Sequence, residues 1–415
     1  MPAEFQGNAD AAARYRLQAV RWTPDRDNHG PRRARVPAQV QAYIPAPLDA
    51  QQWRFSSAVS AALGDAQTAI TSAQQHADRI GLHTIAQQLL RSESMASSQM
   101  EGLVVPSNRS LAKAEIGKRH KETAQAALAN IAAVKWAYQW ALESGDPFTM
   151  GAVQAIHERI AAADRWLTAH AGKLRERQNW IGSDPHTPAG AEFIPPPPGL
   201  VSELLEDLCA FLNRTDLPPA AQAAIAHVQF ETIHPFVDGN GRVGRALIGA
   251  SLSRSGVCRD VVPPISLILS GRKDDYVNAL TAFRAGDDDP WLLLLAESAE
   301  LAANASIELA DQIAELQERW REQAGRPRAD SAAEQIIRLL PAEPVLDVER
   351  AATLLERSPE AARVALNRLE EAGVVQLTTV AKRERVWESI GVFALLDDME
   401  RHLSGGARGA AVTGR

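Results

Sequence analysis

The sequence predicts a mostly α-helical protein, with one β-hairpin set into the helical body and a winged helix-turn-helix near the C-terminus. Three observations lead there. Alanine, leucine and glutamine recur at helical spacing up to about residue 320, and β-branched runs are scarce. Residues 174–198 break that rhythm with two short apolar segments flanking a turn-rich centre. Beyond a polar linker at 323–330, short helical patterns give way to two short apolar segments. A chain of 415 residues has room for two or three folded units.

Composition narrows the class. With 45% hydrophobic and 23% charged residues the chain is globular in type, which excludes bulk disorder and a collagen-like repeat. Its longest apolar stretches, such as Trp291-Leu-Leu-Leu-Leu-Ala296, fall far short of the roughly 20 residues that span a bilayer. No apolar core follows the first charges, so no secretory signal is expected. Cys209 and Cys258 are too few for a disulfide framework or a cysteine-based zinc site, and a reducing cytoplasm is the expected setting. A net charge of −7 argues against a protein whose main work is clamping nucleic-acid phosphates.

In chain order, residues 1–48 read as an extended N-terminal arm. Residues 1–35 look irregular and basic, with Arg14, Arg16, Arg21, Arg26, Arg32, Arg33 and Arg35, and residues 43–48 are kept extended by two prolines. A helical body covers 49–322. Its helical patterns run from about 51 to 144, interrupted near Gly81 and at 102–106, then over 149–163, 200–213, 220–232, 242–255 and 291–321. The expected hairpin pairs the segment at 178–182 with that at 192–195, and the prolines at 195–198 end it. Its unpaired edge suits an added peptide strand, and a plain surface loop is the other reading. Residues 331–404 form the winged helix: two short helices at 332–340 and 348–356, a third from Ser358-Pro359 to Ala372, and a wing at 374–377 and 385–388. Residues 405–415 are Gly/Ala-rich and expected to be disordered.

The informative segment is His234-Pro-Phe-Val-Asp-Gly-Asn-Gly-Arg-Val-Gly-Arg245. Pro235 favours an extended backbone at His234. Gly239-Asn240-Gly241 is permissive backbone ahead of a helix beginning near Arg242, and amides at a helix start attract anions. Arg242 and Arg245 share a helix face and can fork onto phosphate oxygens. Asp238 is the one carboxylate in the loop, and one carboxylate plus substrate phosphates is the usual way Mg²⁺ is held. His234 can take a proton from an attacking hydroxyl. A base, a metal ligand, a phosphate cradle and two cations thus fall within one short segment, a pattern expected by chance in well under about one chain per million.

This segment resembles the signature of the Fic family, His-x-Phe-x-(Asp/Glu)-Gly-Asn-Gly-Arg-x-x-Arg, without a departure. Ala226-His-Val-Gln-Phe-Glu-Thr-Ile233 is similar to the family's helix leading into the loop. Asn179, Trp180, Ile181 and Gly182, with Phe193 and Ile194 and the prolines that follow, resemble its target-docking flap, and residues 43–48 resemble the N-terminal extension of many long members. The resemblance covers roughly residues 40–300. It implies transfer of AMP from ATP to a Ser, Thr or Tyr hydroxyl of a protein, releasing pyrophosphate. His234 would be the general base, Asp238 the Mg²⁺ ligand, and Gly239, Asn240, Gly241 and Arg242 the cradle of the α- and β-phosphates. Arg245 would take the γ-phosphate, and Phe236 would be a buried anchor.

Ser97-Ser-Gln-Met-Glu101-Gly102 resembles the family's inhibitory motif, (Ser/Thr)-x-x-x-Glu-(Gly/Asn). Ser97 and Glu101 are expected on one helix face, and the resemblance implies that the Glu101 carboxylate occupies the Arg245 guanidinium that a γ-phosphate needs. The pattern alone would arise in roughly one chain of this length in three, so the loop gives it its weight. In some members the inhibitory glutamate also directs removal of AMP, which stands open here, as does transfer of another phosphate-containing group. His227 is read as a packed helix residue. His170, His186 and His402 make no metal spacing. Tyr276 either lies against adenine or is a core tyrosine. Between 331 and 404, acidic residues outnumber basic ones, and the third helix mixes Arg363, Asn367 and Arg368 with Glu360, Glu370 and Glu371. Lys382, Arg383 and Arg385 make a basic wing tip. A protein-interaction or homodimer-supporting role is favoured over DNA binding, which would make the chain a transcriptional regulator.

Overall fold

The N-terminal arm is a β-ribbon rather than an irregular extension. In the computed structural model, which describes residues 14–24, 30–80, 83–117, 122–162, 164, 167–182, 184–381 and 384–410, strand β1 (Tyr15–Trp22) pairs antiparallel with β2 (Ala38–Pro45), Val20 opposite Val40. The arginines masked the signal. Along β2 the buried Val40, Ala42 and Ile44 alternate with Gln39, Gln41 and Tyr43, the two-residue period of a half-buried strand. Residues 1–13 and 25–29, Arg26 among them, lie outside the described residues.

Helices follow as α1 (Ser57–Ile80), α2 (His83–Met100), α3 (Asn108–Ile116), α4 (Glu122–Glu143) and α5 (Met150–Ala161). Ser107 caps α3 by accepting the Ser110 amide, and Thr149 caps α5 by accepting that of Ala152. Each satisfies one of the amides a helix start leaves without an internal partner. The helices α6 (Pro198–Leu212) and α7 (Pro219–Ile233) open on proline, whose missing N–H is no loss there. Then come α8 (Asn240–Arg254), α9 (Ile265–Gly271), α10 (Lys273–Arg284) and α11 (Asp289–Gln323). The short α9 and α10 had no separate sequence expectation.

The expected hairpin between α5 and α6 contracts to a single bridge. Ile181 donates to the Phe193 carbonyl at 2.8 Å and accepts the Phe193 amide at 3.1 Å. Pro195 to Pro198 remove the amides that a longer ladder would use. The second leg also borders the ribbon, for the Ile194 carbonyl accepts the Tyr43 amide at 2.8 Å.

The C-terminal elements are α12 (Ala332–Leu339), β3 (Val345–Leu346), α13 (Val348–Leu355), α14 (Pro359–Glu371), β4 (Val375–Ala381), β5 (Glu384–Ser389) and α15 (Val392–Ala410). The three strands form an antiparallel sheet in the order β3-β5-β4. Ser358 caps α14 and Pro359 takes its first position. Residues 405–410, expected to be disordered, continue α15; 411–415 and the wing-tip Lys382 and Arg383 lie outside the described residues.

The chain divides into two compact units whose bounds cut across the segment 49–322, while 331–404 lies wholly within the second. One comprises residues 1–64, 136–255 and 274–296, the other 65–135, 256–273 and 297–415. Within the second, the C-terminal elements share one apolar core with earlier helices: Ile336, Leu366, Val386 and Phe393 pack in a cluster with Leu89, Leu309 and Trp320. Glu388 of β5 is buried there, held by Arg109 at 3.2 Å and Lys113 at 2.8 Å. No helix among the described residues is long and apolar enough to cross a membrane.

The first unit is centred on α7 and α8, buried on every side from Ala220 to Ile233 and from Asn240 to Ser253. A helix with no solvated face must meet its neighbours closely all round. Glycines make that approach possible. A Cβ at Gly244 would lie 2.4 Å from Glu231 Oε1, and one at Gly249 would lie 2.3 Å from the Tyr138 ring. Gly249→Ala is therefore expected to destabilise the protein by about 2 kcal/mol through overpacking. Urea denaturation measures this, and an unshifted midpoint would show that Tyr138 moves aside freely.

Candidate active site

Helix α7 ends on His234, whose amide donates to the Phe230 carbonyl at 2.8 Å. His234 is left-handed, φ 51° and ψ 61°, not extended as the following proline suggests. A non-glycine residue in this region carries a cost of about 1 kcal/mol. Neighbouring donors hold it there. The His234 carbonyl accepts Arg175 Nε at 2.8 Å and Asn179 Nδ2 at 3.5 Å. The Arg175 amide also donates to the Pro235 carbonyl at 2.9 Å.

The loop is then closed from inside. Asn240 Oδ1 accepts the Phe236 amide and Asn240 Nδ2 donates to the Phe236 carbonyl, each at 2.9 Å. The Asn240 side chain thus serves the loop itself, leaving its backbone for the cradle the sequence suggests. The buried Phe236 ring lies flat on His157, centroids 3.9 Å apart with planes at 6°. His157 Nδ1 accepts the Gly172 amide at 3.0 Å, which makes Nε2 the protonated nitrogen, and Nε2 donates to the Asp238 carbonyl at 3.1 Å. Burial pushes the His157 imidazole down to about 4, so the neutral ring keeps this tautomer at neutral pH. Gly239 is left-handed at φ 79°, and a Cβ there would lie 3.6 Å from His157 Nε2.

These contacts set the chemistry-bearing groups around the start of α8. Gly239 is the N-cap residue and has no side chain to cap with, so the helix opens on bare backbone. Arg242 is buried, its Nη2 3.9 Å from Asp164 Oδ2, a loose approach for an ion pair. Arg245 is 2% exposed. Gly241 lies between them and Asn240, buried in the first turn. The Asp238 side chain faces solvent, with Oδ1 accepting the Gly239 amide at 2.6 Å. The His234 side chain is 19% exposed, with Nδ1 3.9 Å from Glu231 Oε2. Among the described residues no three His, Cys, Asp or Glu side chains gather as a metal cage. A single solvent-facing carboxylate beside a helix start nevertheless suits Mg²⁺, which keeps waters and takes its other oxygens from phosphates.

The flap residues line one side of the same unit. Asn179 Nδ2 donates to the Phe236 carbonyl at 3.2 Å, and Trp180 Nε1 to the Asp184 carbonyl at 2.8 Å. Phe193 lies under the Arg284 guanidinium at 4.0 Å, while Ile194 is buried. Gly182 comes so near the other leg that a Cβ would be 3.1 Å from Ala191 Cα. Tyr276 is a core residue: it is buried, its hydroxyl meets His227 Nε2 at 2.8 Å, and its ring stands edge-on to Trp291. In the other unit, Ser97 is buried on α2, and Glu101 lies one residue past the helix end and is exposed. Gly102, φ 75°, donates to the Gln99 carbonyl and stops the helix. His157, Arg175 and Arg284 carry no motif in the sequence; each is an isolated letter whose role comes from contacts distant in sequence.

Residues 147–252 match the Fic/DOC family, a span running from just before α5 through most of α8. Residues 147–252 thus carry a Fic domain. It is 31% identical to protein adenylyltransferase fic-1 of Caenorhabditis elegans over 166 residues, 39% of this chain and 29% of that protein. Over 132 residues it is 33% identical to protein adenylyltransferase Fic of Drosophila sechellia, 31% of this chain and 24% of that one. The chain thus spans less than a third of the length of these relatives. A crystal structure of a Fic family protein from Desulfovibrio desulfuricans G20 shares the fold, with a TM-score of 0.51 and 19% identity, covering 82% of this chain and 98% of that one.

Two buried histidines give this unit a pH signature. Burial lowers His157 to about 4 and His227 to about 3; for His227 the Arg245 and Arg284 charges add to the effect and a hydrogen bond with the Gly244 backbone opposes it. Both folded values lie below the ordinary 6.5, so between pH 6.5 and 4 the unfolded chain binds more protons than the native one. Stability is therefore expected to fall by several kcal/mol, order of magnitude, as pH drops through that window and to be unaffected by these groups above it. Urea unfolding midpoints from pH 7.5 to 4 measure this; a profile flat below 6.5 would contradict it.

Proposed function

We propose that this chain is a protein adenylyltransferase that moves AMP from ATP to a Ser, Thr or Tyr hydroxyl of a protein, itself included. The observation that carries the reading is the elbow between α7 and α8. It combines an accessible imidazole at the end of one helix, bare amides at the start of the next, and two arginines on that second helix. The adenylyltransferase relatives support the reaction class. In this reading His234 takes the proton of the target hydroxyl as its oxygen attacks the α-phosphorus, and pyrophosphate leaves. The α8 amides and Arg242 neutralise the α- and β-phosphates, and Arg245 neutralises the γ-phosphate. Such transfers depend mainly on positioning and charge neutralisation, which this arrangement supplies. Asp238 would hold Mg²⁺, whose charge, when bound, offsets that of the phosphates. The flap receives an extended segment of the target by backbone pairing.

Ser97, Glu101 and Gly102 are proposed as a brake, with the Glu101 carboxylate competing with the γ-phosphate for Arg245. Its support is the residue pattern together with an accessible carboxylate at a helix end stopped by Gly102. In Glu101→Gly, auto-AMPylation with ATP and Mg²⁺ is expected to rise by about tenfold or more, and adding His234→Ala is expected to cut it by a factor of about 10²–10⁴. Mass spectrometry for AMP adducts reads both. No adduct on any protein with Glu101→Gly would sink the transferase reading.

The C-terminal elements are proposed to form a winged helix-like module that binds protein or supports a homodimer. Their order of helix, strand, two helices and two strands supports the module. The surface of α14 supports the role, since Arg363 is clamped by Glu360 at 2.6 Å, Arg368 donates to the Ala324 carbonyl, and Val364 is exposed between them. Cations already engaged, with an apolar residue beside them, suit a protein partner better than phosphates. The full chain is expected to leave a DNA duplex unshifted at physiological salt; a salt-sensitive shift would revive the DNA-binding alternative.

A further inference from the structure

Arg175 is an unusual group to find in the interior. It is 3% exposed, and burial lowers its guanidinium to about 10, with no neighbouring acid contributing, so it remains charged at neutral pH. Its partners are carbonyl oxygens. On the elbow side Nε donates to His234 at 2.8 Å and Nη2 to Ile233 at 3.2 Å. On the flap side Nη2 donates to Pro196 at 2.5 Å and Nη1 to Arg177 at 3.2 Å. Arg177 lies just before the first leg of the flap and Pro196 just after the second. One planar fork therefore joins both roots of the flap to the end of α7 and to the strained residue that bears the imidazole.

We infer that Arg175 is a positioning residue that couples the flap to His234, so that an extended segment docked on the flap sets the imidazole for proton removal. The inference rests on the transferase reading for its effect on rate, but not for its mechanical content. A rigid fork with several donors fixes the two segments relative to each other, whereas a lysine ammonium carries the same charge without the plane that fixes their angle. The left-handed backbone at His234 makes the coupling consequential. Held by donors on its carbonyl, the residue relaxes once they go, and the ring swings with it. Asn179, on the first leg of the flap, reaches the same carbonyl at 3.5 Å and is a weaker second tie.

The test compares Arg175→Lys and Asn179→Ala with their parent, all carrying Glu101→Gly in the full chain. Amide hydrogen exchange reads the mechanics. In Arg175→Lys, residues 179–182 and 193–194 of the flap and residues 234–239 of the elbow are expected to exchange faster together, by about tenfold, as charge-assisted hydrogen bonds are lost. Asn179→Ala is expected to show the same paired change at smaller size. AMP transfer reads the consequence: kcat falls by about a hundredfold in Arg175→Lys while KM for ATP stays within about threefold, because the phosphate cradle is untouched. The coupling is overturned if the flap loosens while 234–239 keeps its protection, or if KM for ATP rises with kcat unchanged. It is also overturned if Arg175→Lys fails to fold and Asn179→Ala changes neither segment. A parent that transfers no AMP removes the transferase reading, and the exchange result still decides the coupling.

Discussion

The elbow at residues 234–239 must join two fully buried helices and still bring polar groups to solvent. That demand shapes the first unit. Helices α7 and α8 have no solvated face to absorb an error, so the chain between them can turn in one way only. The turn is made by two left-handed residues, His234 and Gly239, each at a helix end. Glycine takes that conformation without a steric penalty and histidine does not, so the histidine end requires outside support. The Arg175 fork, the Asn240 side chain and the Phe236–His157 stack supply it. Each meets a backbone carbonyl, a backbone amide or an aromatic face, and none uses up His234 or Asp238.

This division of labour keeps the His234 and Asp238 side chains near water while the loop beneath them is tied down by hydrogen bonds. Asp238 illustrates it: its carbonyl belongs to His157 and its carboxylate faces solvent. His157 performs its part because it is neutral. A charged imidazole would carry protons on both nitrogens, lose the Gly172 amide as a donor and bring a cation beside Arg242. Burial selects the neutral form, so the low pKa of His157 and the shape of the loop have one cause.

The sequence made the loop legible because its chemistry is contiguous. From His234 to Arg245, base, carboxylate, glycines and arginines sit side by side, and one helix start organises them. The helical body was legible for the same local reason: spacing, caps and prolines act within a turn or two. What escaped was nonlocal. His157 and Arg175 show no pattern of their own, and they matter because α5 and the segment after it return to the elbow. The β-ribbon carries a local two-residue period in β2, which the arginines of β1 obscure on the partner strand. In the flap, apolar residues about a turn suggest a two-stranded ladder, whereas its prolines permit only the Ile181–Phe193 bridge. At His234 the proline rule was outweighed by a tertiary hydrogen bond, since a local preference yields where a buried donor fixes the carbonyl.

The same elbow explains why so much positive charge is taken out of water. Arg175, Arg242 and Arg245 are all buried around it, and Arg284 is partly buried nearby with its pKa lowered chiefly by burial. Desolvating a guanidinium is unfavourable, and carbonyl dipoles at Arg175 and an acid 3.9 Å away at Arg242 offset part of that cost. A folded chain keeps such an arrangement when the surrounding packing enforces it, and the tight α7–α8 contact does so. The result is a site with its positive potential in place before any ligand arrives, adjoining the bare start of a helix that points the same way. Under the transferase reading an incoming polyanion would have little protein to reorganise, because the unfavourable step of gathering the cations is taken during folding and not during binding. Stability given up in the elbow is thereby returned as preorganised charge where a transferred phosphate would need it.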